Sequence, residues 1–208
     1  MEASNSPLDD TLLNKINTRL KTGRNTTVNI INDKLTLAVF SMLRDNLKNV
    51  ATINFIIRDP RTLPASHEVT REFDISPQEA LFNTYDIMEK NKLHHFEQAR
   101  TMYDFIKKHV IIKRTTEACR IKGNLLLIDD TFMLQGSSSL EFSPKPLKNA
   151  VNHINFDSVI YQNMDPAQIS QARKTFQRIW NQPDLTRDYK DEILNSLASV
   201  YKDQSPEF

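Results

Sequence analysis

Glycine is nearly absent from this chain, with three residues in 208. That scarcity argues against the glycine-rich loops that cradle nucleotide phosphates. No G-x-x-x-x-G-K-[ST] segment occurs, so no motor ATPase is encoded in these residues. Cysteine occurs once, at Cys119, which rules out an internal disulfide and fits a reducing compartment. No apolar run approaches the length of a membrane span, and residues 1–10 are polar and acidic rather than signal-like. A cytoplasmic protein with no membrane partner is the expectation. A global field of one sign is also lacking: the net charge is +1, so attraction to nucleic acid must come from a local patch. The five histidines include no pair at the i, i+4 spacing of a helical metal site, and one cysteine makes no zinc ribbon. Neither a metal nor a cofactor is expected.

What the chain does have is a segment around which the rest is arranged, from Lys122 to Ser139. An apolar run (Leu125 to Ile128), a polar turn (Asp129, Asp130, Thr131) and a second apolar run (Phe132 to Leu134) read as a buried hairpin. It stops on Gly136 and three serines, small residues whose backbone N–H groups suit an anion. Adjacent acids in a hairpin turn are usually turn residues, so Asp129 and Asp130 alone do not make a metal or hydrolase site.

Around the hairpin, apolar periodicity predicts a helix with Leu12, Leu13, Ile16 and Leu20 on one face, closed by Gly23. A second is predicted from the spacing of Ile31, Leu35, Val39, Met42 and Leu47. Strands are expected at Ile53–Ile57, Val69–Phe73, His109–Arg114 and Phe156–Tyr161. A helix starts at Ser76-Pro77-Gln78-Glu79, and another places Phe96, Ala99, Tyr103 and Ile106 together. Asp165-Pro166-Ala167-Gln168 opens a further helix with Ile169, Phe176, Ile179 and Trp180 inward. Pro183 ends it, before a last helix carrying Tyr189, Ile193, Leu197 and Val200. The segments 58–68 and 142–153 read as loops. Strands alternating with helices give an α/β fold, a mixed central sheet flanked by helices. The expected division is an N-terminal tail and helix (1–22), an α/β core (23–164) and a C-terminal helical segment (165–208).

The spacing of the central segment resembles that of the phospholipase D-like superfamily, H-x-K, four residues, D, six residues, G-S-x-N. Asp129, Gly136, Ser137 and Ser139 fit its second half, while Lys122 stands at the histidine position and Asn124 at the lysine position. Sliding the register to Arg120 and Lys122 leaves Leu127 at the acid position, so the histidine is missing either way. The order of Ile53-Asn-Phe-Ile-Ile-Arg-Asp-Pro60, Arg71-Glu-Phe-Asp-Ile75, the helix near Ala99, Phe176-Gln-Arg-Ile-Trp-Asn181 and Tyr201-Lys-Asp-Gln-Ser-Pro-Glu-Phe208 is similar to the phospholipase D-like N-terminal domain of bacterial and phage-associated DEAD-type and Swi/Snf-type helicases. The resemblance implies a phospholipase D-like sandwich, with a helicase motor in the same polypeptide beyond Phe208. It also implies that the nucleophilic histidine is gone. Lysine and arginine nitrogens are protonated near neutral pH and have no lone pair to offer phosphorus. With its partner missing, Asp129 is expected to pair with Lys122 or Arg120.

From Lys107 to Lys122 six cationic side chains stand against one acid, Glu117. Phosphate contact by Lys113, Arg114, Arg120 and Lys122 and a lysine-protected sheet edge are both consistent with that run. The leading expectation is a catalytically degenerate accessory domain of a DNA-processing or phage-defence helicase, inactive alone, touching the DNA backbone or positioning the motor. Two alternatives stand beside it. One is an active phosphodiesterase or nuclease, working as a homodimer with Lys122, Asp129, Ser137 and His153. The other is a pure protein-interaction domain.

Overall fold

The computed structural model describes residues 10–58, 93–137 and 156–202. The predicted strand at 69–73, the helix starting at Ser76 and the loop over 142–153 lie outside them, as do Ser139 and His153. In chain order the elements are α1 (Asp10–Thr22), β1 (Thr26–Asn32), α2 (Leu37–Leu47), β2 (Val50–Ile57), α3 (Leu93–His109), β3 (Val110–Thr115), β4 (Asn124–Ile128), β5 (Phe132–Gly136), β6 (Asp157–Tyr161), α4 (Pro166–Asn181), β7 (Thr186–Asp188) and α5 (Lys190–Lys202). The strands form one mixed sheet in the order β6-β5-β4-β1-β2-β3-β7. β1, β2 and β3 run parallel, while β4, β5, β6 and β7 pair antiparallel to their neighbours. No helix among the described residues is long and apolar enough to cross a membrane.

Period-2 alternation divides the sheet's side chains between two layers. On one face Val28, Ile30, Ile53, Phe55, Val110, Ile112, Leu126 and Phe132 share a core with Leu13, Ile16 and Leu20 of α1 and the inward stripes of α2, α3 and α5. On the other face Ile31, Ile56, Leu127 and Met133 meet Ile169, Phe176 and Ile179 of α4, with Cys119 from the β3–β4 connection. Among the described residues, α1, α2, α3 and α5 cover one face and α4 the other. The helices outside the expected core, α1 at one end and α4 and α5 at the other, pack on the same sheet, and β7 is its edge strand.

The hairpin folds as its sequence implies, with Ile128 opposite Phe132 and Asn124 opposite Gly136. Leu127, Phe132 and Met133 are fully buried, each such side chain contributing about 1.5–3 kcal/mol. The Asp165 side chain caps α4, its Oδ1 accepting from Gln168 N–H at 2.9 Å.

Two elements differ from expectation. The helix predicted through Ile31 begins only at Leu37; the residues before it form β1, a central strand. Ile31, Leu35 and Val39 happen to lie four residues apart, which mimics a helical stripe, but five of the seven residues from Thr26 to Asn32 are β-branched, which favours a strand. Met42, expected inside, is 40% exposed. β7 has three residues and no periodicity long enough to read.

Candidate functional site

The carboxyl ends of β1 and β2, the amino end of β4 and the carboxyl end of β5 meet at one pole of the sheet, because β4 is antiparallel to β1 and β5 antiparallel to β4. Crevices at the carboxyl ends of parallel strands are where open α/β sheets bind ligands. Here the chain turns polar: Asn32, Asp33 and Lys34 follow β1, Arg58 follows β2, Asn124 opens β4, and Gly136 and Ser137 end β5.

Arg58 is the centre of this pole. Its Nε donates to Asn124 Oδ1 at 2.6 Å, and its Nη2 lies 3.9 Å from Asp33 Oδ2, with the two side chains 13% and 15% exposed. Its backbone N–H continues the β1–β2 ladder to Asn32 O at 3.0 Å. Asn32 Oδ1 accepts from Lys34 N–H at 3.2 Å, closing a turn that aims Asp33 back across the strand ends. The guanidinium, mostly out of water, is held by a carboxylate and an amide oxygen. The amide of Asn124, only 6% exposed, spends its other end on Ser137 O at 3.3 Å.

Asn124, Gly136 and Ser137, three of the motif residues, are therefore brought together, with exposed Lys122 two residues ahead of Asn124. Ser137 is occupied by the backbone of the returning chain: its N–H donates to Phe156 O at 3.3 Å, and its Oγ accepts from Phe156 N–H at 2.9 Å. Gly136 serves that approach. A Cβ there would lie 2.4 Å from Phe156 O and 2.7 Å from Asp157 Cα.

Asp129 is elsewhere. It closes β4 at the opposite pole, five residues from Asn124, or about 17 Å at the rise of a strand. Instead of pairing with Lys122 or Arg120, its Oδ1 accepts from Thr27 N–H at 2.8 Å, and its N–H donates to Thr27 O. Its φ of 48° is a left-handed conformation that Asp tolerates in a turn. A rigid strand separates Asp129 from Lys122, Asn124, Gly136 and Ser137, so no contact between that acid and the other described motif residues is geometrically open.

The basic run is also divided. Lys113 and Arg114 are neighbours on a strand and so face opposite layers. Lys113 Nζ donates to Trp180 O at 2.9 Å and lies 4.9 Å from the Trp180 ring centre. Arg114, 5% exposed, reaches Tyr189 Oη at 3.4 Å, and Arg187 flanks the same ring from β7. Arg120 and Lys122 are exposed on the connection that returns to the pole. His109, at the amino end of β3, stacks on Phe105 at 5.1 Å, far from the pole. Among the described residues no group of three or more histidine, cysteine or acidic side chains is placed to hold a metal ion.

The pole thus presents one clamped guanidinium and two exposed cations, with no described imidazole to act as nucleophile or base. Sequence reasoning passed over Asp33 and Arg58. The available signal was a charged residue closing each of two apolar strands, Ile30-Ile31-Asn32-Asp33 and Ile56-Ile57-Arg58.

No family model matches the chain, and no curated protein matches it. Among solved structures, it is similar to a phospholipase D family member, Nuc from Salmonella typhimurium. The TM-score is 0.44 and the identity 13%, over 84% of this chain and 88% of that one.

Proposed function

We propose that this chain is a catalytically degenerate phospholipase D-like accessory domain that contacts the phosphate backbone of DNA without reading its sequence, within a helicase-type DNA-processing or phage-defence protein. The observation that carries the reading is the cationic pole itself. Arg58 is fixed between Asp33 and Asn124, and exposed Arg120 and Lys122 stand on the adjoining connection where the motif's histidine would be. Such a surface can neutralise a phosphodiester, and among the described residues it holds no imidazole to attack one. The helicase context rests on the sequence order of the segments between Ile53 and Phe208, which resembles that of the N-terminal domains of such proteins.

Arg120 and Lys122 are the contacting pair, and Lys113 and Arg114 serve the fold. Two to three phosphate contacts give a log-log salt slope of about −2 to −3 on duplex DNA, with dissociation constants no tighter than about micromolar. Fluorescence anisotropy across a salt series tests this. Replacing Arg120 and Lys122 together by Ala flattens the slope by about two units. Absence of binding at low salt, or a full slope in the double variant, overturns the DNA reading. A phosphodiester reporter assayed with and without EDTA tests degeneracy: turnover abolished by Lys122→Ala or Ser137→Ala overturns it.

A further inference from the structure

At the opposite pole, on the face that α4 covers, a polar groove of about 460 Å³ runs between that helix and the amino halves of β1 and β2. The volume falls in the range of small-ligand sites. Its floor is unusual for the middle of a sheet. Where Ile31 and Ile56 fill the carboxyl half of this face, the same rows of β1 and β2 carry Asn29 and Asn54 in the amino half. Asn54 Nδ2 donates to Asn29 Oδ1 at 2.9 Å, and Asn29 is 9% exposed. Among the described residues neither amide makes another side-chain hydrogen bond. Whichever way the two amides are turned, one shared bond leaves one unspent N–H₂ and one unspent carbonyl side by side. Both residues line the groove, so a ligand seated there can pair with these groups.

The wall is one stripe of α4 at i, i+3, i+4, i+7 and i+8, from Arg173 to Asn181. Phe176 and Trp180 stack on each other within it at 5.6 Å, and the indole N–H of Trp180 has no partner among the described residues. Asp129 and Asp130 form the rim. Arg173, the cation of the groove lining, is spent on Asp130, so the rim is net acidic and disfavours a phosphate.

From this arrangement we infer that the groove is a binding site for an adenine nucleoside. A juxtaposed amide donor and carbonyl acceptor are what one Asn side chain offers adenine N7 and N6 in bidentate contact. An aromatic wall suits a planar base, and a carboxylate at the rim suits ribose hydroxyls. The acidic rim disfavours an anionic ligand, which favours the nucleoside over its phosphates. The site is separate from the cationic pole and does not depend on the DNA reading.

Trp180 is the only tryptophan, so its fluorescence reports on the groove directly. Titration with adenosine gives saturable quenching with a dissociation constant on the order of 10⁻⁴ M, the range open to a ligand of that size. Guanosine, which presents a carbonyl where adenine has its amino group, binds at least about tenfold more weakly. Adenosine monophosphate is weakened by the rim. Asn29→Leu with Asn54→Leu, shown folded by circular dichroism, loses the response. Asn54→Asp, which conserves shape, serves the same purpose if the double leucine variant fails to fold. Arg120→Ala with Lys122→Ala leaves adenosine binding intact, which separates this inference from the DNA proposal. No saturable response to adenosine, or an equal response in the folded amide variants, overturns it.

Discussion

The two ends of the central strands make an instructive pair. β1 carries Thr27 and Asn29 at the groove and ends at the cationic pole with Asn32, followed by Asp33; β4 begins at the pole with Asn124 and is followed beside the groove by Asp129. At the pole, polar residues are tied by charge, a guanidinium against a carboxylate with both mostly out of water. In the groove, two neutral amides share one hydrogen bond. The first arrangement is costly to break, because losing one partner strands a buried charge. The second is cheap to break, because two amides can be exchanged for apolar groups of similar shape. The pole is thus locked by its own chain, whereas the groove keeps unspent groups.

The largest expected effect lies at the pole. Gly136→Ala drives a Cβ into the backbone of Phe156 and Asp157 and is expected to cost about 2–3 kcal/mol, the scale of overpacking. Urea denaturation measures it. A loss below about 0.5 kcal/mol would show that β6 yields and that the pole is softer than the comparison holds.

How much of this was legible in sequence follows the range of the contacts. The hairpin was, since Ile128 and Phe132 meet across three residues and their apolar runs are continuous. The α4 cap was, since Asp165 and Gln168 are three residues apart. β1 was not, because its residues sit four apart from those of α2 and a single stripe absorbed both. Arg58 and Asp33 were not, because their bond depends on two strands lying parallel, and Arg58 reaches Asn124 across 66 residues of chain. The motif's linear spacing gave no warning that its acid sits at the far pole. Neighbouring cations such as Lys113 and Arg114 look like one patch in sequence, but on a strand they belong to different faces.

The comparison sharpens with a pair of variants. Asn124→Leu removes the acceptor of a mostly buried guanidinium and is expected to cost about 1–3 kcal/mol. Combined with Arg58→Met, much of that loss returns, with a coupling of about 1–2 kcal/mol. Asn29→Leu with Asn54→Leu in the groove is expected to change stability by less than about 1 kcal/mol. Equal costs at the two ends would erase the distinction. Smaller again, Lys113→Met removes an ammonium over an indole and is expected to cost about 0.5–1 kcal/mol. DNA affinity should be unchanged, and a fall in it would return Lys113 to the contact surface.

The smallest effect compares the two faces of the sheet rather than its two ends. Burial pushes the Cys119 thiol, in the α4 layer, above its ordinary value of 9.0. Burial also raises the Tyr189 hydroxyl, in the layer of α1, α2, α3 and α5, above 10.0 against the lowering influence of Arg114. In both cases the folded state holds the proton more tightly than the unfolded chain. The stability involved is therefore complete below the unfolded value and is lost as pH rises through the folded one. Stability measured by urea denaturation should hold between neutral pH and about 9, then fall in two stages of at most one proton each. Cys119→Ala should remove the earlier stage and Tyr189→Phe the later one. The tyrosine variant loses only the long contact from Arg114 at 3.4 Å, so its stability near neutral pH should barely change. If Cys119→Ala leaves the first stage in place, the thiol is not held in the α4 layer as described. That layer would then be open enough for water to reach the sulfur, and the groove beside it would be shallower than its lining implies.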